Sequence, residues 1–138
     1  MKYSDMIFRF DDVCGNTNME NLNGIAGMLY SRFECQIWYA ISPLYFAESV
    51  SCFESERVYP AIFNACSDYR RFFQADRSCI PVVPSYVTVC NHGAIHVDHR
   101  LLNKGQQEIS ILLGGSLTDS DVFVPPFHKW NQDTEEVC

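Results

Sequence analysis

The chain of 138 residues has the length of one domain, 47% of its residues are hydrophobic, and its net charge is −7. Such a composition is typical of a globular protein with a substantial core, and the acidic balance argues against a surface that follows nucleic-acid phosphates. No apolar run approaches the roughly 18 residues of a membrane span, and the N-terminus does not look like a signal peptide.

The seven cysteines include no C-x-x-C pair. We therefore expect reduced, mostly buried thiols in a cytoplasmic protein. The oligomeric state is not indicated.

Predicted strands and helices alternate along the chain. Four strands are predicted, at residues 6–10, 35–41, 86–90 and 121–124. Four helices are predicted, at residues 19–33, 61–74 and 104–113 and at the start of the last eight residues. Residues 44–59 have mixed periodicity and are interpreted as an irregular insertion, and the prolines at 80–84 predict a loop or an edge. The alternation favours a parallel α/β sheet, whose sites lie at the carboxyl ends of the strands.

Three of the four histidines lie between Cys90 and Leu101, just after the third predicted strand. His92 and His96 are four residues apart, a spacing that brings two imidazoles to one side of a helical turn. Imidazole is a common ligand of zinc-like metals. These two residues are therefore candidate metal ligands, although a lone His-x-x-x-His is more often two unrelated histidines. His99 is interpreted as a structural or supporting residue, with metal binding as the less favoured alternative.

A carboxylate ligand is expected from the end of the first predicted strand. Asp11 and Asp12 directly follow the run Met6–Phe10 and mark the point where we expect that strand to end. Where the pleat breaks, both carboxylates can turn toward one pocket. Asp12 could instead cap the next segment, and Asp11 could simply face water. Arg9 could pair with an aspartate or lie on a plain surface.

Three segments in order resemble the first three motifs of the polysaccharide deacetylase (NodB-homology) superfamily. They are Phe10-Asp11-Asp12, Asn91-His92-Gly93-Ala94-Ile95-His96 and Val124-Pro125-Pro126-Phe127. The sequence of the histidine segment, from Asn91 through Leu102, looks closest to the WbmS-like branch, which is associated with bacterial surface polysaccharides. The resemblance spans residues 6–131. It implies a single domain over residues 1–138, with the fold of a distorted (β/α) barrel.

The resemblance assigns a role to each matching residue. Asp11 would be the general base, and Asp12, His92 and His96 would bind one divalent metal, zinc first, with cobalt, manganese or nickel as alternatives. The backbone N–H of Phe127 would contribute to the oxyanion hole. The implied reaction is hydrolysis of an N-acyl group on an amino sugar or a surface-polysaccharide precursor. The substrate would be a small molecule or an oligosaccharide.

The chain departs from the family's pattern in two places. Val124 stands where the family has an arginine that supports the base. The family's general-acid histidine lies downstream of the third motif, so we expect a barrel that is incomplete at its C-terminal end, and a fragment of a longer protein. His99 and His128 are the only stand-ins for that acid.

Two other classes of function compete with the deacetylase. The first is a relic of the same fold that binds metal or glycan without catalysis, as the missing arginine and acid suggest. The second is a metallophosphoesterase of a related barrel, which would gather more His and Asp ligands. Aromatic side chains such as Trp38, Tyr39, Phe46 and Trp130 could stack on a sugar ring, but such residues are usually core.

Overall fold

The computed structural model describes residues 5–15, 17–43 and 80–138. Within them the order of elements is strand, helix, two strands and two helices, with two short 3-10 turns. The strands are β1 (Ile7–Val13), β2 (Gln36–Ile41) and β3 (Val87–Asn91), and the helices are α1 (Met19–Phe33), α2 (Lys104–Thr118) and α3 (Gln132–Val137). The 3-10 turns are His99–Leu101 and Pro126–His128.

The three strands form one parallel sheet in the order β1-β2-β3. Tyr39 in the central strand pairs with Phe10 on one side and with Val89 on the other. All the carboxyl ends of the strands therefore meet at one edge of the sheet. Mixed α/β architecture with parallel strands agrees with the expected class; closure into a distorted (β/α) barrel stays a prediction.

The main core lies between the sheet and α1. Ile37, Tyr39 and Ile41 of the central strand are fully buried, as is Ala26 of the helix. Tyr39 is therefore core and not a sugar-stacking surface. Side chains at helical spacing supply this contact, because residues three and four apart share one face of a helix.

Helix α1 has the bounds that the sequence predicts. Asn18 accepts a hydrogen bond from the backbone N–H of Asn21 at 3.0 Å, which satisfies one of the unpaired amides of the first turn. Glu34 ends the helix in a left-handed conformation, φ 49°. Capping at both ends explains why the pattern and the structure agree here.

Three of the predicted elements differ in the structure. The first strand does not end at the aspartates but continues through them to Val13, with a register shift between Phe10 and Val13. Helix α2 passes through the two glycines predicted to end it and stops at Thr118. Residues 121–124 form only an isolated bridge, in which Phe123 pairs with Asn91.

The glycines in α2 serve close packing instead of termination. A Cβ on Gly114 would lie 2.8 Å from the backbone N of Ala94. The helix thus contacts the histidine loop backbone to backbone, and its capping box at Asn103 holds the other end. The predicted insertion at 44–59 and the predicted helix at 61–74 lie outside the described residues.

Candidate metal centre

A small cavity of about 110 Å³ lies at the carboxyl ends of β1 and β3. The 3-10 turn Pro126–His128, which begins at the second of the two prolines, forms the third wall of the cavity. Among the described residues, six line the cavity: Asp11, Asp12, His92, His96, Phe127 and His128. All three motifs that resemble deacetylase motifs therefore contribute to one cavity.

A break in the pleat of β1 turns both aspartates toward the cavity. In a regular strand their side chains would point to opposite faces. Asp12 has φ 61°, and the pairing of β1 with β2 shifts at this point. The left-handed residue thus brings two neighbouring carboxylates to one side.

His92 is delivered by β3 and oriented by a backbone carbonyl. Its side chain is 1% exposed, and its backbone N–H donates to the carbonyl of Ile41 at 3.0 Å. Its Nδ1 lies 2.6 Å from the carbonyl oxygen of Val124. Because a carbonyl can only accept, Nδ1 carries the proton and Nε2 faces Asp12.

His96 reaches the site from a loop, so the predicted helical turn is wrong. Residues 92–98 contain no helix. Gly93 has φ +79°, and a Cβ on it would lie 2.9 Å from Cε1 of His99. The loop therefore reverses at a glycine that packs on His99, and it returns His96 to within 5.1 Å of His92, measured between ring centroids.

His99 supports this loop and does not join the ligands. It is fully buried, and its Nε2 lies 3.1 Å from Oγ of Ser110. Desolvation lowers its pKa to about 4. A neutral, enclosed imidazole of this kind is a packing group, and it cannot donate a proton to a substrate in the cavity.

The geometry of Asp12, His92 and His96 suits one metal ion. Oδ1 of Asp12 lies 3.0 Å from Nε2 of His92 and 2.7 Å from Nε2 of His96. Ligands about 2.1 Å from one ion stand roughly 3.0–3.4 Å apart at angles between 90° and tetrahedral. These two separations are therefore close to those expected between ligands of one ion. Within the described part of the chain, these two buried histidines and the exposed aspartate form one group that could hold a metal ion.

The protonation states favour the same conclusion. The close contact of its carboxylate with the imidazole of His92 is the main reason why the pKa of Asp12 is lowered. Burial lowers the pKa of His96. At neutral pH Asp12 is therefore a carboxylate and His96 is neutral, and metal binding requires these forms.

Asp11 lies beside the three candidate metal ligands and accepts hydrogen bonds from Arg9. Nε of Arg9 lies 2.7 Å from Oδ1 of Asp11, and the second guanidinium nitrogen lies 3.0 Å from Oδ2. Nε2 of His128 lies 3.5 Å from the same Oδ2. The question that the sequence leaves open for Arg9 is answered: it pairs with an aspartate.

Phe127 closes the cavity over His96, with their ring centroids 4.5 Å apart. Phe127 and His128 both have left-handed backbones, φ 57° and 55°. Such conformations are uncommon for residues other than glycine and occur at sites where the surrounding structure imposes them. Here the turn points an aromatic ring and an imidazole into one small space.

Sequence reasoning missed one contributor to the site, the carbonyl of Val124, and left the role of a second, Arg9, open. The carbonyl of Val124 orients His92, yet every residue has a carbonyl and no pattern singles this one out. The position of Arg9 two residues before Asp11 does carry a signal, since side chains at i and i+2 share a face of a strand. Trp38 and Trp130 do not line the cavity, and Phe46 lies outside the described residues.

Comparison with protein-family models, with curated proteins and with solved structures finds no match for this chain. Within the parts of the chain that the structure describes, no helix is both long and apolar enough to cross a membrane. The function of the protein must therefore be inferred from the cavity and from the three motifs.

Proposed function

We propose that the protein is a metal-dependent hydrolase that removes an N-acyl group, such as acetyl, from an amino sugar or a surface-polysaccharide precursor. The observation that carries the proposal is the placement of Asp11 beside Asp12, His92 and His96 in one cavity. A carboxylate outside the ligand set, next to a metal group, is the arrangement that base-assisted hydrolysis needs. The resemblance to polysaccharide deacetylases supports the same reaction.

Zinc is the metal that the donor set suits best. Two imidazole nitrogens and one carboxylate oxygen match the three-ligand sites of catalytic zinc, and cobalt, manganese or nickel would also accept them. A divalent ion held here would polarise an acyl carbonyl and lower the pKa of an attacking water.

The chain's own residues have separate roles in the proposed reaction. Asp11 accepts a proton from the attacking water. The backbone N–H of Phe127 donates to the oxyanion that the acyl carbonyl oxygen becomes when water adds to the acyl carbon. His128 lines the cavity, whereas His99 is buried, so His128 is the candidate proton donor to the leaving amine.

The experiment measures acetate released by the purified protein loaded with Zn²⁺ or Co²⁺, from N-acetylglucosamine oligosaccharides and from UDP-N-acetylglucosamine. We expect Asp11→Asn to lower the rate by about 10²–10⁴-fold, the usual contribution of a general base. Asp121→Asn is the matched control, because Asp121 does not line this cavity. An Asp11→Asn protein as fast as the wild type would refute the assigned base.

A second candidate is binding of metal and glycan without turnover. It is favoured by one observation, that both oxygens of Asp11 already accept hydrogen bonds from Arg9. Tight zinc and oligosaccharide binding without acetate release would support it.

Metal stoichiometry tests the phosphoesterase alternative. One ion per chain fits the single group found among the described residues, and two or three ions would fit a phosphoesterase.

A further inference from the structure

We propose that Arg9 is a positioning residue, which holds the carboxylate of Asp11 in the orientation that faces the metal group. The inference deepens the proposed function and depends on it, because the orientation of Asp11 affects a rate only if Asp11 takes part in the reaction. Arg9 itself does not line the cavity.

The contact between the two side chains is a planar fork. One guanidinium nitrogen of Arg9 lies 2.7 Å from Oδ1 of Asp11, and another lies 3.0 Å from Oδ2. Two parallel charge-assisted hydrogen bonds fix the plane of a carboxylate as well as its position. A lysine would supply only a point charge and would leave the carboxylate free to rotate.

The backbone under Asp11 explains why such a fork is needed. Arg9 lies in the regular part of β1, where it pairs with Trp38 of β2. Asp11 lies past the last regular pair, next to the left-handed Asp12, where the register shifts. Regular strand pairing therefore fixes the backbone of Arg9 but not that of Asp11. The hydrogen bonds from the guanidinium of Arg9 connect the Asp11 carboxylate to the regular part of the sheet.

The same guanidinium also approaches the third wall of the cavity. Its terminal nitrogen lies 3.5 Å from Nδ1 of His128, whose Nε2 lies 3.5 Å from Asp11. Among the described residues that line the cavity, Asp11 and His128 are the two polar residues outside the metal group. Arg9 contacts both of them. This placement sets it apart from an ordinary ion pair on a surface.

Stability alone would not explain the pair. The side chains of Arg9 and Asp11 are 36% and 23% exposed, and pairs this accessible to water contribute roughly 0–1 kcal/mol to folding. Misorientation of a reacting group, by contrast, can lower a rate by about 100-fold. The expected effect of Arg9 is therefore on rate and not on stability.

The chain contains a matched control for the experiment. Arg100 forms the same fork with Asp98, two residues before it, at 3.0 Å and 2.8 Å. Neither residue lines the cavity. Arg100→Ala therefore removes an ion pair of the same fork geometry, with a more buried carboxylate, without touching Asp11.

The kinetic test compares Arg9→Ala, Arg9→Lys and Arg100→Ala in the zinc-loaded protein, with the same acetylated sugars as probes. We expect kcat of Arg9→Ala to fall by about 100-fold, with KM and zinc affinity unchanged, because Arg9 acts on Asp11 and is not part of the metal group. Added guanidinium ion should restore part of kcat, and Arg9→Lys should recover less than wild-type activity. Arg100→Ala should keep wild-type kcat.

A structural test gives an answer even if no acetylated sugar is turned over. Crystal structures of wild type and Arg9→Ala should show the Asp11 carboxylate turned away, or in two orientations, in the variant alone. If Asp11 turns but the wild type is inactive, positioning stands and the amidase proposal fails. An Asp11 that keeps its orientation in Arg9→Ala, or an equal loss of kcat in Arg100→Ala, would overturn the assignment of Arg9.

Discussion

Replacing Gly114 by alanine tests whether α2 fixes the loop that carries both histidines. The new Cβ would stand 2.8 Å from the backbone N of Ala94 and 2.9 Å from the carbonyl carbon of Gly93. Rotation of a side chain cannot relieve contacts with backbone, so the helix or the loop has to move. Overpacking of this kind costs about 1–3 kcal/mol, and alanine in a helix returns about 0.5–1 kcal/mol. We expect a net loss of about 1–2 kcal/mol.

Gly24→Ala is the matched control, because a Cβ on Gly24 in α1 meets nothing within 4 Å. It should stabilise the protein by about 0.5–1 kcal/mol. Urea denaturation measures both changes, and zinc titration should show weaker binding only in Gly114→Ala. A Gly114→Ala protein as stable as Gly24→Ala would refute the close contact between helix and loop.

Two further predictions concern zinc and pH. Zinc at about 100 times its Kd should raise the free energy of unfolding by about 2.7 kcal/mol; His92→Ala or His96→Ala should remove this gain in urea denaturation, and a retained gain would contradict the ligand set. His99 has a folded pKa of about 4 against about 6.5 unfolded, so the unfolded state binds more protons between these values and stability falls as the pH falls through them. We expect about 2 kcal/mol less stability from His99 at pH 5 than at pH 7.5. His99→Gln should flatten this dependence except for the part due to His96, whose pKa burial also lowers, and an unchanged slope would be evidence against a neutral, buried His99.

The elements that the sequence predicts well are those with local signals at both ends. Helix α1 has its cap at Asn18 and its apolar face within the same stretch. The predicted end of β1 is wrong, because aspartates usually stop a strand and nothing local shows that this one bends and continues. The predicted end of α2 is wrong for a related reason, since Gly114 is required by contact with a distant loop.

The candidate site, too, is predicted by the sequence only where the signal is local. The residue types of Asp12, His92 and His96 are visible in the sequence, and the structure brings all three together across a separation of 80 residues. The means of assembly are not visible. The spacing of the two histidines predicts a helical turn, whereas a glycine reversal and a carbonyl contact place them. Such devices depend on backbone conformation, which side-chain patterns do not encode.

Three residues that line the cavity have left-handed backbones: Asp12, Phe127 and His128. Each such residue costs roughly 1–2 kcal/mol, a large amount against the 5–15 kcal/mol by which domains are usually stable. Glu34 and Asp119, the other non-glycine examples in the described chain, merely end helices. The backbone conformations that shape the cavity therefore lower the free energy of unfolding of the whole domain. The core between the sheet and α1 must supply enough stability to maintain them.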